Sequence, residues 1–265
     1  MERVAIIGYG AIGRTLDRLL QKAGAGQVVA VITLPELAAA ARAEQGAGVH
    51  ATVAEALAVE PTLFVECGGH GALRAHGTAV LQGGVDLLVA SVGALSDAAL
   101  ENGLREAAER GRAQILIPSG ALGGLDALGS ARHAGLEEVR YTSVKAVQAW
   151  RGTHAEKLVD LDKVERATEF FAGNARDAAR LFPQNANVAA AVALAGRGFE
   201  GTSVVLTADP AAKGNRHRIQ AKGAFGMIDV TVEGRTLPDN PKTSMLAPMS
   251  LLRAIESRRS ALRIV

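Results

Sequence analysis

The chain has 265 residues, 48% of them apolar and 21% charged, with a formal net charge of +2. That composition supplies a core and excludes a disordered chain, and the near-neutral balance argues against a nucleic-acid or membrane-surface binder. The length fits one compact unit or two small domains. From the N-terminus, Met1-Glu2-Arg3 leads straight into the apolar Val4-Ala5-Ile6-Ile7, without the features of a secretory leader. No apolar run approaches the roughly 18–20 residues that span a bilayer, so a cytoplasmic protein is expected.

Residues 4–7 read as a strand and 11–23 as a helix with Ile12, Leu16, Leu19 and Leu20 on one face. Strands follow at 28–33, 63–67, 87–91 and 114–117. They alternate with helices at 36–44, 71–82 and 96–110 and a helical turn at 53–58. Strands alternating with helices across short Gly-bearing turns predict a Rossmann-type doubly wound parallel sheet over residues 1–120. Beyond Gly124 the pattern changes. Helices are predicted at 125–134, 175–181 and 187–195, and strands at 138–147, 202–208, 217–224 and 227–232. This is an α+β pattern on a mostly antiparallel sheet, assigned to a second domain over 121–239. Residues 240–265 are expected to form a C-terminal helix, over 244–259, that packs back on the first domain.

The strongest local motif is Gly8-Tyr9-Gly10-Ala11-Ile12-Gly13, between the first strand and the first helix. Gly8 permits the tight turn, Gly10 lets backbone approach a pyrophosphate, and Gly13 lets helix pack on strand. Ala11 and Ile12 open the helix whose free N–H groups favour phosphate. The motif predicts NAD or NADP binding. The acidic residue usual at the end of the second strand is replaced by Thr33, which bonds ribose without repelling a 2′-phosphate. With Arg14 and Arg42 near that strand end, NADP is expected to be tolerated alongside NAD, whereas Glu36 swinging in would restore NAD preference.

Ligands in such sheets sit at the carboxyl ends of strands. Two later strand ends, Glu66-Cys67-Gly68-Gly69-His70 and Ser91-Val92-Gly93-Ala94-Leu95-Ser96, are small enough to lie against a cofactor. Cys67, Gly68, Ser91, Val92 and Gly93 are therefore candidate cofactor contacts. Cys67 has no evident base beside it and reads as a small packed residue rather than a nucleophile. As the only cysteine, it makes no intramolecular disulfide and no cysteine-rich metal site. His70 contacts cofactor or substrate, or serves the turn. Residues 119–124, SGALGG, are flexible enough to line the nicotinamide end.

Three later segments are too specific for packing alone: PQNANVAA from Pro183, NRHRI from Asn215 and NPKTS from Asn240. Together with GYGAIG, VECGGH, SVGALSD and SGALGGLDAL, in that order along essentially the whole chain, they resemble the L-aspartate dehydrogenase family. The resemblance implies oxidation of L-aspartate with NAD or NADP to iminoaspartate, which hydrolyses to oxaloacetate and ammonia, and the reverse reductive amination. It also implies that the second domain is the catalytic or dimerisation one, a homodimer and, for some members, a link to NAD biosynthesis. The family's active-site histidine falls on His217, and its cofactor-contacting alanine and asparagine fall on Ala121 and Asn187.

A histidine with an ordinary pKa of about 6.5 can relay a proton near neutral pH. Asn187, at the start of an apolar helix, suits helix capping as well as a cofactor contact. A dicarboxylate substrate needs cations or helix N-termini. Lys145, Arg151, Lys242, Thr243 and Ser244 are candidates, and Asn240-Pro241 suits an N-cap followed by Pro at the first helical position. His154 is a further pocket candidate; solvent exposure is expected for it and for His50, His76 and His133. A semialdehyde dehydrogenase would need a cysteine in the second half, and a dihydrodipicolinate-type reductase a basic cluster around a histidine pair. Neither is present. A homoserine dehydrogenase relative or a non-catalytic dinucleotide sensor would share the first half. No His/Asp/Glu cluster has metal-ligand spacing.

Overall fold

Strand β1 (Glu2–Ile7) runs into helix α1 (Ala11–Ala23), and the same alternation continues through β2 (Gly26–Ile32), α2 (Pro35–Gln45), β3 (Gly48–His50), α3 (Val53–Leu57), β4 (Leu63–Glu66), α4 (His70–Gln82), β5 (Asp86–Val89), α5 (Ala98–Gly111) and β6 (Ile115–Leu116). These belong to a computed structural model that describes residues 1–45, 48–183, 185–238 and 240–264. All six strands are parallel, in the order β3-β2-β1-β4-β5-β6. The chain leaves β1 toward one edge and returns to β4 for the other, so the carboxyl ends of β1 and β4 flank the point where the winding reverses. Strand β3, three residues long, is additional to the strands expected from periodicity.

The strands are apolar on both faces because helices cover both. Val4, Ile6, Val65 and Leu88 pack with Leu16 and Leu20 of α1. Asp97 caps α5 by accepting from Ala99 N at 3.0 Å and Leu100 N at 3.4 Å. The chain divides into two compact units, Met1–Gly120 with Ala247–Val265, and Ala121–Leu246. The last helix, α10 (Leu246–Arg259), places Leu251 and Ile255 in the first unit's core. Its Arg258 binds Glu2 at 3.0 Å and Asp86 at 2.6 Å.

The second unit contains α6 (Leu125–Ala131), β7 (Leu136–Lys145), β8 (Thr168–Asn174), α7 (Ala175–Leu181), α8 (Asn187–Ala195), α9 (Gly198–Gly201), β9 (Thr202–Ala208), β10 (Asn215–Gly223), β11 (Gly226–Gly234), β12 (Thr236–Leu237) and β13 (Asn240–Ser244). The main sheet has the order β11-β10-β7-β9-β8. Its pairs are antiparallel except β7 with β9. Residues Tyr141, Ser143 and Lys145 alternate onto one buried face of β7, and His217 of β10 stands opposite Ser143. The flanking Arg216 and Arg218 point to the other face, where they pair with Glu233 and Asp229. Helix α8 is buried along Ala189–Ala193, as its apolar sequence demands.

One expectation is corrected here. Asn240–Ser244 is a strand paired with β12, not the capped start of a helix, and α10 runs Leu246–Arg259. A proline is compatible with an edge strand, where no partner needs its missing N–H. Strand β8 was also not anticipated, because the register shifts between Glu169 and Phe171 and breaks the alternation.

Candidate active site

In the first unit, the turn after β1 packs directly on the turn after β4. Gly8 has φ +91°, and a Cβ there would lie 2.2 Å from Gly68 Cα. A Cβ on Gly13 would lie 2.4 Å from Gly8 O, so helix and strand touch through backbone alone. Gly10 differs: nothing lies within 4 Å of its Cβ position, and no side chain caps α1 there. The N-terminal amides of Ala11, Ile12 and Gly13 thus meet an open, uncapped helix end. Tyr9 is turned into the core, where its hydroxyl donates to Asp17 Oδ2 at 2.6 Å. Burial, reinforced by the Asp17 carboxylate, pushes its phenol above the ordinary range.

Glu66, fully buried at the end of β4, fastens the next two loops. Its Oε1 accepts from Gly68 N at 2.8 Å, Gly69 N at 2.9 Å and Ser91 Oγ at 2.9 Å, and its Oε2 accepts from Ser91 N at 3.0 Å. Burial raises its pKa, against the opposing pull of those hydrogen bonds. Ser91 therefore spends its hydroxyl on Glu66, and Val92 and Gly93 continue from it into a buried 3-10 turn. Cys67 is partly buried against the core, and burial together with Glu66 pushes its thiol well above the ordinary value. The protonated thiol matches its reading as a packing residue. Sequence reasoning quoted Glu66 only as part of a motif; an acidic residue closing an apolar strand was the available signal.

In the second unit, His217 is 3% exposed, and its Nδ1 lies 2.7 Å from the Tyr141 hydroxyl. The two rings stack with centroids 6.0 Å apart. Burial first, and the charge of Lys145 second, push His217 down to about 3. Lys145 is 4% exposed, and burial lowers it to about 8. Its ammonium donates to Asn185 Oδ1 at 2.7 Å and lies 5.3 Å from the centre of the Trp150 ring. His217 is thus a neutral imidazole at physiological pH rather than one poised near its ordinary pKa. Tyr141 and Asn185 were not singled out from the sequence, because their partners are 76 and 40 residues away.

Comparison with known proteins decides the family. The family described as "Aspartate dehydrogenase, C-terminal" matches residues 126–258, and "Homoserine dehydrogenase, NAD binding domain" matches residues 8–118. The chain is 47% identical over 267 residues to L-aspartate dehydrogenase of Cupriavidus necator and 46% identical over 269 residues to that of Polaromonas sp., with both chains fully covered in each case. The chain belongs to the L-aspartate dehydrogenase family. The crystal structure of aspartate dehydrogenase from Thermotoga maritima superposes with a TM-score of 0.78 at 25% identity, covering 100% of each chain.

As in its family, the protein is an oxidoreductase with an NAD(P)-binding domain. The residues of the first unit fit that cofactor: the open Cα of Gly10, the uncapped start of α1 and the backbone-only contact of Gly8 with Gly68 leave room where a side chain would intrude. Thr33 follows β2 half-buried, while Glu36 is exposed on α2 and Arg14 pairs loosely with Glu44 at 3.4 Å.

The remaining candidates are distributed across both units. His70, half-buried, opens α4 in the first unit. Ala121 is buried in the second. Asn187 is the first residue of α8, whose cap position is Ala186. Thr243 and Ser244 lie on β13, where the Ser244 hydroxyl oxygen accepts from Leu246 N at 3.2 Å. Arg151 pairs with Asp162 at 2.5 Å near the surface. The side chain of Lys242 lies outside the described residues. His154 is half-buried rather than exposed and lines a cavity with Thr153, Phe182 and Asn185. Among the other histidines His133 is exposed, whereas His50 and His76 are half-buried. No helix among the described residues is long and apolar enough to cross a membrane.

Proposed function

We propose that the protein oxidises L-aspartate with NAD or NADP to iminoaspartate, which hydrolyses to oxaloacetate and ammonia, and that it also runs the reverse reductive amination. The reading further takes the active species to be a cytoplasmic homodimer and allows that its iminoaspartate feeds NAD biosynthesis. The observation that carries it is the buried set of His217, Tyr141 and Lys145 on one face of a single sheet. It occurs in a chain 47% identical over its full length to an L-aspartate dehydrogenase.

When bound, NAD(P) supplies the hydride acceptor. Gly8, Gly10, Ala11, Ile12 and Gly13 would hold its pyrophosphate, with Thr33 at the ribose. Cys67, Gly68, Ser91, Val92, Gly93, Ala121 and Asn187 are the further cofactor contacts, and His70, Thr243 and Ser244 join Lys145 on the substrate side. His217 is the catalytic residue. Tyr141 engages Nδ1, which leaves Nε2 to exchange a proton with the substrate amine and with the water that attacks the imine.

Lys145 supplies positive charge for a substrate carboxylate. Its own charge is one of the two causes that hold His217 down. A carboxylate that neutralises Lys145 relieves that cause, so substrate binding makes His217 a better base when one is needed. Hydride transfer from Cα requires the amine to be unprotonated, and the neutral imidazole can take up its proton. The test is coenzyme reduction at 340 nm, at about 1 mM coenzyme, with L-aspartate against L-glutamate, L-alanine and L-homoserine. Aspartate-dependent reduction supports the reading; coenzyme binding without turnover on any of these, in either direction, opposes it.

A further inference from the structure

The geometry points to a carboxylate-binding subsite made by Lys145 and Asn185 together, with Asn185 as a specificity residue for dicarboxylic substrates. The inference rests on the dehydrogenase reading above and deepens it.

The ammonium of Lys145 is buried, and no ion pair among the described residues includes it. Its hydrogen-bond partner is the neutral oxygen of Asn185. Lys163, by contrast, lies on the surface and pairs with Asp160 at 2.9 Å. A buried cation without a counter-charge is costly, and an arriving anion compensates it.

Asn185 is 6% exposed, and its orientation is dictated by its neighbour. Lysine can only donate, so the amide oxygen faces Nζ and the amide nitrogen is turned elsewhere. That nitrogen, Nδ2, is buried and has no hydrogen-bond partner among the described residues. Two adjacent groups therefore hold spare donor capacity: Nδ2 of Asn185 lacks an acceptor, and the cationic Lys145 has the neutral amide oxygen in place of a counter-charge. A carboxylate supplies the charge and the lone pairs that are missing.

A cavity of about 240 Å³ reaches Asn185 and is walled by Gly152, Thr153, His154, Phe182 and Pro183. Helix α8 begins two residues beyond Asn185 and carries no side-chain cap, so its positive end adds to the attraction for an anion. An amino acid with an uncharged side chain would leave one or both donors buried and unpaired, which is how polar sites reject substrates lacking a group.

The probe is succinate, a dicarboxylate with no amine to oxidise. Its dissociation constant is measured by titration calorimetry on the coenzyme-saturated enzyme, and its inhibition constant against L-aspartate by kinetics. Asn185→Ala is expected to weaken succinate by about tenfold or more and to raise KM for aspartate more than it lowers kcat. Asn185→Asp, isosteric and carrying an internal counter-ion for Lys145, is expected to abolish succinate binding while keeping the melting temperature. It carries the test if the alanine variant fails to fold. Succinate bound equally by wild type and both variants, or not bound by wild type, would overturn the subsite.

Failure of the two readings is separable. Succinate binding lost in the variants of a protein that does not oxidise aspartate leaves the subsite standing without the dehydrogenase reading. Aspartate oxidation with succinate indifferent to Asn185 does the reverse.

Discussion

The hydroxyl of Tyr141 and Nδ1 of His217, on neighbouring strands β7 and β10, are 2.7 Å apart in the buried face of the second sheet. That bond fixes the ring and, under the proposed function, leaves Nε2 as the nitrogen that faces the substrate. Tyr141→Phe keeps the ring's volume and removes only the hydroxyl. The expected result is a kcat/KM lower by roughly 10- to 100-fold and a shifted pH–rate profile, with about 1 kcal/mol lost in stability. A profile superimposable on wild type would mean that Tyr141 only packs.

Under the proposed function, Lys145 trades stability for substrate binding. Burial moves it from 10.5 to about 8, so the native state bears the cost of an ammonium it would rather release. Lys145→Met removes that charge at the expense of the Asn185 hydrogen bond. The net gain should be about 1–2 kcal/mol, a rise of roughly 3–6 °C in Tm, with aspartate turnover lost. In the same variant His217 should titrate higher than in wild type, because one of its two depressing causes is gone. Proton NMR of the imidazole reads this directly, and an unchanged titration would contradict the coupling.

The two groups also set pH limits. His217 sits at about 3 in the folded chain against an ordinary 6.5. Below about pH 6.5 the unfolded chain binds a proton that the native state refuses, so this contribution to stability is present above 6.5 and lost as pH falls toward 3. His217→Phe should flatten the denaturation midpoint over that window. Lys145 acts on the alkaline side. As pH rises through about 8 it loses its proton in the free enzyme, and kcat/KM for aspartate should fall above that point. A profile flat to about pH 10 would remove Lys145 from substrate binding.

The glycines of the turn separate fold from cofactor. Gly8→Ala forces a Cβ to within 2.2 Å of backbone at φ +91° and should cost about 2–4 kcal/mol. Gly10→Ala meets nothing and should keep Tm, yet it fills the space above the uncapped start of α1. Coenzyme binding followed by fluorescence should weaken by about tenfold or more in Gly10→Ala, whose melting curve stays at the wild-type position.

The first unit was legible because its signals are local. GYGAIG announces itself within six residues, and the longer strands and helices show their character within one element. Glu66 was harder to read, since its four bonds run to backbone and to Ser91, 25 residues on. The same applies to Asn185, whose meaning comes from Lys145 across the fold. Strand β3 is too short to show alternation, and at β13 the sequence Asn-Pro fits an edge strand as well as a helix start. His217 was placed by family resemblance; taken alone it reads equally well as a surface strand histidine. The structure buries it through the alternation of β10, in which the arginines on either side take the solvent face.

The central claim is that the buried His217 serves aspartate oxidation. Wild type and His217→Ala, compared in coenzyme reduction with L-aspartate and either NAD or NADP, test it most directly. The account predicts aspartate-dependent reduction by wild type and a loss of about 10²-fold or more in the variant, with coenzyme affinity retained. Equal rates in the two proteins, or coenzyme binding with no aspartate turnover in wild type, would contradict it.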